Sequence, residues 1–183
     1  MFNLANKITL LRVFMTPLVV VLLYFEGPVF CILAACAFVL ASITDWIDGY
    51  VARREKIVTS LGKFLDPLAD KILICSVLIM FVKLGWASAW VVIVIVCREL
   101  VVTGLRAMAS DAGICLAADK FGKAKTVLQI TAIVPLMLHY PVAGVAFWPL
   151  GEILLYIALA VTVFSGANYC YDFYNGACRR QQL

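Results

Sequence analysis

Asp45, Asp48, Asp66 and Asp70 are four of only eleven acidic residues in a chain that is 64% hydrophobic. All four lie in one stretch, Thr44 to Lys71 (TDWIDGYVARREKIVTSLGKFLDPLADK), with apolar runs on both sides. A carboxylate at membrane depth costs roughly 2.5–3.5 kcal/mol on insertion scales. Four of them, without a matching set of buried bases, call for bound cations. At ~100° per helical residue, Asp45, Asp48, Gly49, Ala52 and Arg53 share an arc of about 140°. Gly62, Asp66 and Asp70 share about 80° of the next helix. A short connector makes these helices antiparallel neighbours, and two carboxylates from each then converge in one cleft.

Such a cleft suits hard divalent cations with oxygen ligands. Two ions held together clamp a phosphoryl or pyrophosphate group. Asp48 and Asp66, one from each helix, are placed to bridge them. Gly49 and Ala52 remove bulk from the same face, so a ligand can approach the backbone. Arg53 offers a bidentate donor to a phosphate. Asp70, one turn deeper than Asp66, either binds metal or takes a proton from an attacking hydroxyl. Oxygen ligands admit Mg²⁺ or Mn²⁺, and abundance favours Mg²⁺. A plain solvated turn would account for Arg54, Glu55 and Lys56, but not for aspartates facing one another at helical spacing.

The elements that must hold these residues follow from composition. Charged residues make up 14% of the chain, against about 25% in soluble domains, and the mean hydropathy is +1.02. This is an all-α integral membrane protein, and its 183 residues suit a single catalytic domain, 1–183. No basic run is large enough for a nucleic-acid face. The seven cysteines are odd in number, form no CxxC pair and lie mostly in apolar runs. They read as small hydrophobes, with no zinc site or disulfide framework. His139, beside Tyr140 and Pro141 at the end of an apolar run, reads as interfacial.

Six transmembrane helices are expected at about 13–25, 29–53, 61–84, 86–108, 121–140 and 148–171, after an N-terminal interfacial helix at about 3–12. The first apolar run shows no cleavage site and reads as a retained helix. Lys7, Arg12, Arg53, Arg54, Lys56, Lys63, Arg106 and the bases near 120–125 and 179–180 fall on one side, with Lys83 alone at an opposite turn. The positive-inside rule then puts both termini and the acidic stretch in the cytoplasm.

The pattern Asp45-x2-Asp48-Gly49-x2-Ala52-Arg53-x8-Gly62-x3-Asp66-x3-Asp70 resembles the signature of the CDP-alcohol phosphatidyltransferase family, with no departure at any signature position. The resemblance implies six membrane helices with a cytoplasmic active site and attack of an alcohol on the β-phosphorus of a CDP-linked lipid, with loss of CMP. It implies that Asp45, Asp48 and Asp66 bind two divalent cations, and that Asp70 is the general base and a further metal ligand. Asp45, Asp48, Gly49, Ala52, Arg53, Thr59 and Gly62 would contact the CDP-lipid. The segments NLANKITLLRVFMTPLVV, CRELVVTGLRAMAS and FGKAKTVLQ are similar to the branch that uses CDP-diacylglycerol and sn-glycerol 3-phosphate. That branch makes phosphatidylglycerophosphate, and resemblance to it implies a homodimer among membrane lipids.

An anionic acceptor needs bases beside the cleft. Arg98, Arg106, Lys123 and Lys125 are the candidates for its phosphate, with Glu99 pairing with one of them. Inositol phosphate would also want a basic pocket, whereas phosphatidylglycerol would want fewer bases and more apolar room. A divalent-cation transporter is the reading from another class, but it has no use for Gly49, Ala52 and Arg53 beside the carboxylates.

Overall fold

Glycine and proline write the helix ends of this chain. The computed structural model describes residues 4–25, 27–55, 60–111, 120–141 and 144–181, with side chains within 12–25, 27–44, 68–69, 71–109, 125–141 and 144–174. Its helices are α1 (Leu4–Tyr24), α2 (Pro28–Glu55), α3 (Ser60–Lys83), α4 (Ala89–Asp111), α5 (Lys120–Met137) and α6 (Trp148–Gln181). No β-sheet occurs among the described residues, and the fold is all-α.

α2 opens on Pro28 and α6 carries Pro149 as its second residue, positions where the missing N–H costs nothing. α3 closes in a Schellman motif. Gly85 takes φ 73°. Its N–H donates to the Val82 carbonyl at 3.1 Å, and the Trp86 N–H donates to the Phe81 carbonyl at 2.8 Å. The accompanying apolar contact is Phe81 against Trp86, with ring centroids 5.7 Å apart.

α1 runs unbroken through Arg12–Val13, where the sequence suggests a division between an interfacial piece and a span. Nothing at that junction stops a helix: the residues there have ordinary propensities, and Pro17, one turn later, lies inside α1 without ending it. α6 has 34 residues, about 51 Å at 1.5 Å per residue. It extends past the expected end at 171 and carries Arg179 and Arg180 on its last turns.

α5 packs along α6, α1 packs along both α2 and α3, and α4 rests on α6. α2 and α3 both reach α5, and α3 also touches α4. One cluster joins all six helices through Leu23, Phe38, Leu78, Phe81, Ile95, Ile133, Leu136 and Leu155. Helices pack closely where the side chains between them are small. Ala34, Ala37 and Ala41 on α2 supply small residues for this, and Gly151 on α6 supplies the closest approach. A Cβ there would stand 2.7 Å from the Leu136 backbone nitrogen. Gly151→Val is therefore expected to force α5 from α6 at a cost of about 1–3 kcal/mol. It should lower the thermal midpoint of detergent-solubilised protein. Gly104→Ala, inside α4 and with a Cβ that would meet nothing within 4 Å, should leave the midpoint no lower and raise it slightly, since Ala is the better helix former.

Large apolar side chains also face outward. Phe14, Leu40, Ile93, Leu100 and Ile153 are each 59–65% exposed. Among the described residues one helical stretch, Trp148–Tyr174, is long and apolar enough to cross a membrane by length and composition, while Arg12–Tyr24, Pro28–Thr44 and Lys125–Met137 are shorter apolar stretches. At the end that holds Gly85, Trp86 stacks on His139 (4.4 Å, 7°) and Trp148 leans on the same imidazole at 5.9 Å. Lys83, the base at that end, lies 3.6 Å over the Tyr24 ring.

Candidate active site

Both halves of the acidic pattern lie on continuous helix. Asp45, Asp48, Gly49, Ala52 and Arg53 occupy the last turns of α2, and Gly62, Asp66 and Asp70 the first turns of α3. Their spacing is therefore real helical spacing along each backbone. Their side chains, like all of Thr59, lie outside the described residues. The helix ends at Glu55 and Ser60 are separated by four residues, and α2 and α3 share α1 and α5 as neighbours. Just before Asp45, Ser42 and Thr44 turn their hydroxyls onto their own helix, donating to the Phe38 carbonyl at 2.9 Å and the Leu40 carbonyl at 2.7 Å. As a donor set, four carboxylates on consecutive helices offer only hard oxygen, which fits divalent cations.

Among the described side chains, the buried polar cluster nearest in sequence to this stretch is built around Glu99, a carboxylate of α4 that is 4% exposed. Lys125 of α5 donates to Glu99 Oε1. Arg98 Nη1 donates to the same oxygen at 3.3 Å, and Lys71 Nζ of α3 lies 4.0 Å from Oε2. Arg98 is also fixed from α6: its Nη2 donates to Ser165 Oγ at 2.6 Å. Its side chain passes so close to Gly166 that a Cβ there would stand 2.9 Å from Arg98 Cγ. Glu99 thus pairs with two of the four expected acceptor bases, Arg98 and Lys125, and with a third cation that the sequence reading did not propose.

Among the described side chains the expected bases divide: Arg98 and Lys125 meet at Glu99, and Arg106 stands apart. Arg98 and Arg106 are eight residues apart on α4, about 12 Å along the axis. Arg106 is exposed, with its guanidinium 5.7 Å from the Tyr169 ring centroid. Lys123 and Lys125 are two residues apart on α5, so their backbone positions stand about 160° apart around the helix axis. The Lys123 side chain lies outside the described residues.

Two further polar residues belong to the Glu99 cluster. Lys71 ends the acidic stretch itself, directly after Asp70. Gln129 stands one turn beyond Lys125 and is 1% exposed, and its Nε2 has no hydrogen-bond partner. A buried polar residue in an apolar run is the signal that would have found it. Lys71, Ile74, Glu99, Lys125 and Gln129 line a small cavity that opens outward, half polar and half apolar.

A sequence model of the CDP-alcohol phosphatidyltransferase family matches residues 2–164. Among curated proteins, the chain is similar to the CDP-diacylglycerol–glycerol-3-phosphate 3-phosphatidyltransferase of Bacillus subtilis (strain 168), 43% identical over 181 residues, covering 92% of this chain and 94% of that protein. The Rickettsia bellii (strain RML369-C) protein of the same name is 38% identical, covering 91% of this chain and 93% of its own. That of Haemophilus influenzae is 32% identical, covering 92% and 91%.

Proposed function

The chain belongs to the CDP-alcohol phosphatidyltransferase family, and on that premise we propose that it transfers the phosphatidyl group of CDP-diacylglycerol to sn-glycerol 3-phosphate. The products are phosphatidylglycerophosphate and CMP, and the chain is an enzyme of phospholipid biosynthesis. The observation that carries this reading is the match over almost the whole chain to bacterial relatives of one shared name. The helical continuity of both halves of the acidic pattern supports it.

In this reading Asp45, Asp48 and Asp66, joined by Asp70, hold two divalent cations, Mg²⁺ or Mn²⁺. The cations supply Lewis-acid polarisation and charge neutralisation at the pyrophosphate. Arg53 donates to the CDP moiety, while Gly49, Ala52, Thr59 and Gly62 line its approach. Asp70 accepts the proton of the acceptor hydroxyl. The freed oxygen forms its bond to the β-phosphorus as the bond to CMP breaks. Bases of α4 and α5, from the set Arg98, Arg106, Lys123 and Lys125, meet the acceptor's phosphate.

The outward apolar side chains are those of a lipid-facing surface. The six helices are proposed as six spans, with the acidic ends of α2 and α3 and both termini in the cytoplasm of a bacterium, and with a second copy completing a homodimer. The charge asymmetry of the sequence supports that orientation.

The test is CMP release from CDP-diacylglycerol with glycerol 3-phosphate, inositol phosphate, serine and phosphatidylglycerol as alternative acceptors. Glycerol 3-phosphate is expected to give the highest kcat/KM. Chelation should drop the rate to background, with recovery on adding Mg²⁺ or Mn²⁺. No metal-dependent CMP release with any of the four would sink the reading.

A further inference from the structure

Resting on the reading just given, the geometry points to the cavity between α3, α4 and α5 as the seat of the acceptor's phosphate, held by Lys71, Lys125 and Gln129. None of the expected functions covers Lys71 or Gln129. Among the described residues, Lys71, Arg98 and Lys125 surround one carboxylate, Glu99, which leaves two positive charges in excess where side-chain exposure is 20% or less. Buried charge of one sign is costly unless something pairs with it. A phosphate monoester dianion carries the charge that is missing.

The cavity also offers one donor without a partner of its own and two with capacity to spare. Gln129 Nε2 is buried and makes no hydrogen bond, so it can donate to a phosphate oxygen with no interaction to break. Lys71 is held only loosely, 4.0 Å from Glu99 Oε2. Lys125 is anchored on the other oxygen and keeps two further N–H donors. Arg98 commits both Nη atoms to Glu99 and Ser165, and its unpartnered Nε lies on the Gly166 side, so it sets the field without lining the cavity.

Depth fits as well. Ile74 lines the cavity and stands four residues beyond Asp70 on α3, on the same face and about 6 Å further along the axis. That is the scale separating the terminal hydroxyl from the phosphorus in a three-carbon polyol phosphate. With its hydroxyl at Asp70, such an acceptor would rest its phosphate among the two lysines and Gln129. Arg106, two turns away toward the end of α4, is too far to share the same phosphate.

The experiment uses the full chain in detergent or nanodiscs. Lys71→Met and Gln129→Leu are compared with wild type for both Michaelis constants and for glycerol 3-phosphate binding, read as a thermal shift without CDP-lipid. Loss of one charge-assisted donor should raise the acceptor KM by about 10–100-fold in Lys71→Met, and by about 5–10-fold in Gln129→Leu. The KM for CDP-diacylglycerol should stay within about twofold, and Lys71→Arg should recover most of the loss. The ligand-induced thermal shift should vanish in Lys71→Met. An unchanged acceptor KM in folded Lys71→Met and Gln129→Leu overturns the assignment. So does a rise confined to CDP-diacylglycerol, which would place a phosphate of the CDP-lipid in the cavity. A rise in Arg106→Ala with none in Lys71→Met overturns it too. Should wild type release no CMP with glycerol 3-phosphate, the proposed reaction fails, and the cavity is judged by the binding arm alone.

Discussion

Asp70→Asn is expected to lower CMP release by about 10³-fold or more while leaving CDP-diacylglycerol affinity within about threefold. The substitution keeps the shape of the side chain and the register of α3, which runs unbroken from Ser60 to Lys83. What it removes is the ability to accept a proton from the acceptor hydroxyl. An alcohol is a poor nucleophile while protonated, and a positioned base is worth about 10²–10⁴ in rate. The loss should therefore appear in kcat. Metal titration separates the two roles of Asp70. If it acts chiefly as base, the Mg²⁺ concentration giving half-maximal residual rate stays near the wild-type value. If it acts chiefly as a ligand, that concentration rises and excess Mg²⁺ recovers activity. Asp45→Asn is the contrast: it should raise the metal requirement and weaken CDP-lipid binding together. Full activity in Asp70→Asn would remove it as the base.

The acidic pattern was legible because its logic is local. Spacings of three and four residues put side chains on one helix face whatever the tertiary fold, and α2 and α3 are helical through those positions. Gly85 and Pro28 were legible as helix boundaries for the same reason, since backbone preference is a property of the residue itself. The Glu99 cluster was only half legible. Its bases could be seen as charges near apolar runs, but Glu99 and Lys125 are 26 residues apart and meet only because α4 and α5 pack beside α3. Arg98 and Arg106 read as one group because both lie toward the end of the same expected span, where an anionic acceptor needs bases. The 12 Å of helix between them, and the Ser165–Gly166 site that fixes Arg98, divide them. Gly151 read simply as one residue of the span expected at 148–171. Its importance lies in the Leu136 backbone opposite, which no local pattern announces.

Removing the carboxylate of Glu99 should cost more stability than removing any one of its partners. Glu99→Leu leaves Lys125 and Arg98 buried without their shared acceptor, and loss of one side of a buried pair typically costs about 3–5 kcal/mol. Lys125→Met is milder, because Glu99 keeps Arg98 at 3.3 Å and Lys71 at 4.0 Å. The measurement is the thermal midpoint of the purified chain in detergent. The expected order is wild type, then Lys125→Met, then Glu99→Leu with the largest drop. The double variant Glu99→Leu/Lys125→Met should recover part of that drop, since an apolar pair of similar volume escapes the desolvation that an unpaired ammonium suffers. A phosphate-bearing ligand makes the argument sharper. If the excess positive charge is held for an anion, glycerol 3-phosphate should stabilise wild type. It should stabilise Glu99→Leu at least as strongly, because that variant has one more positive charge left to neutralise. A cluster serving the fold alone would give Glu99→Leu the same loss of midpoint with no gain from the ligand.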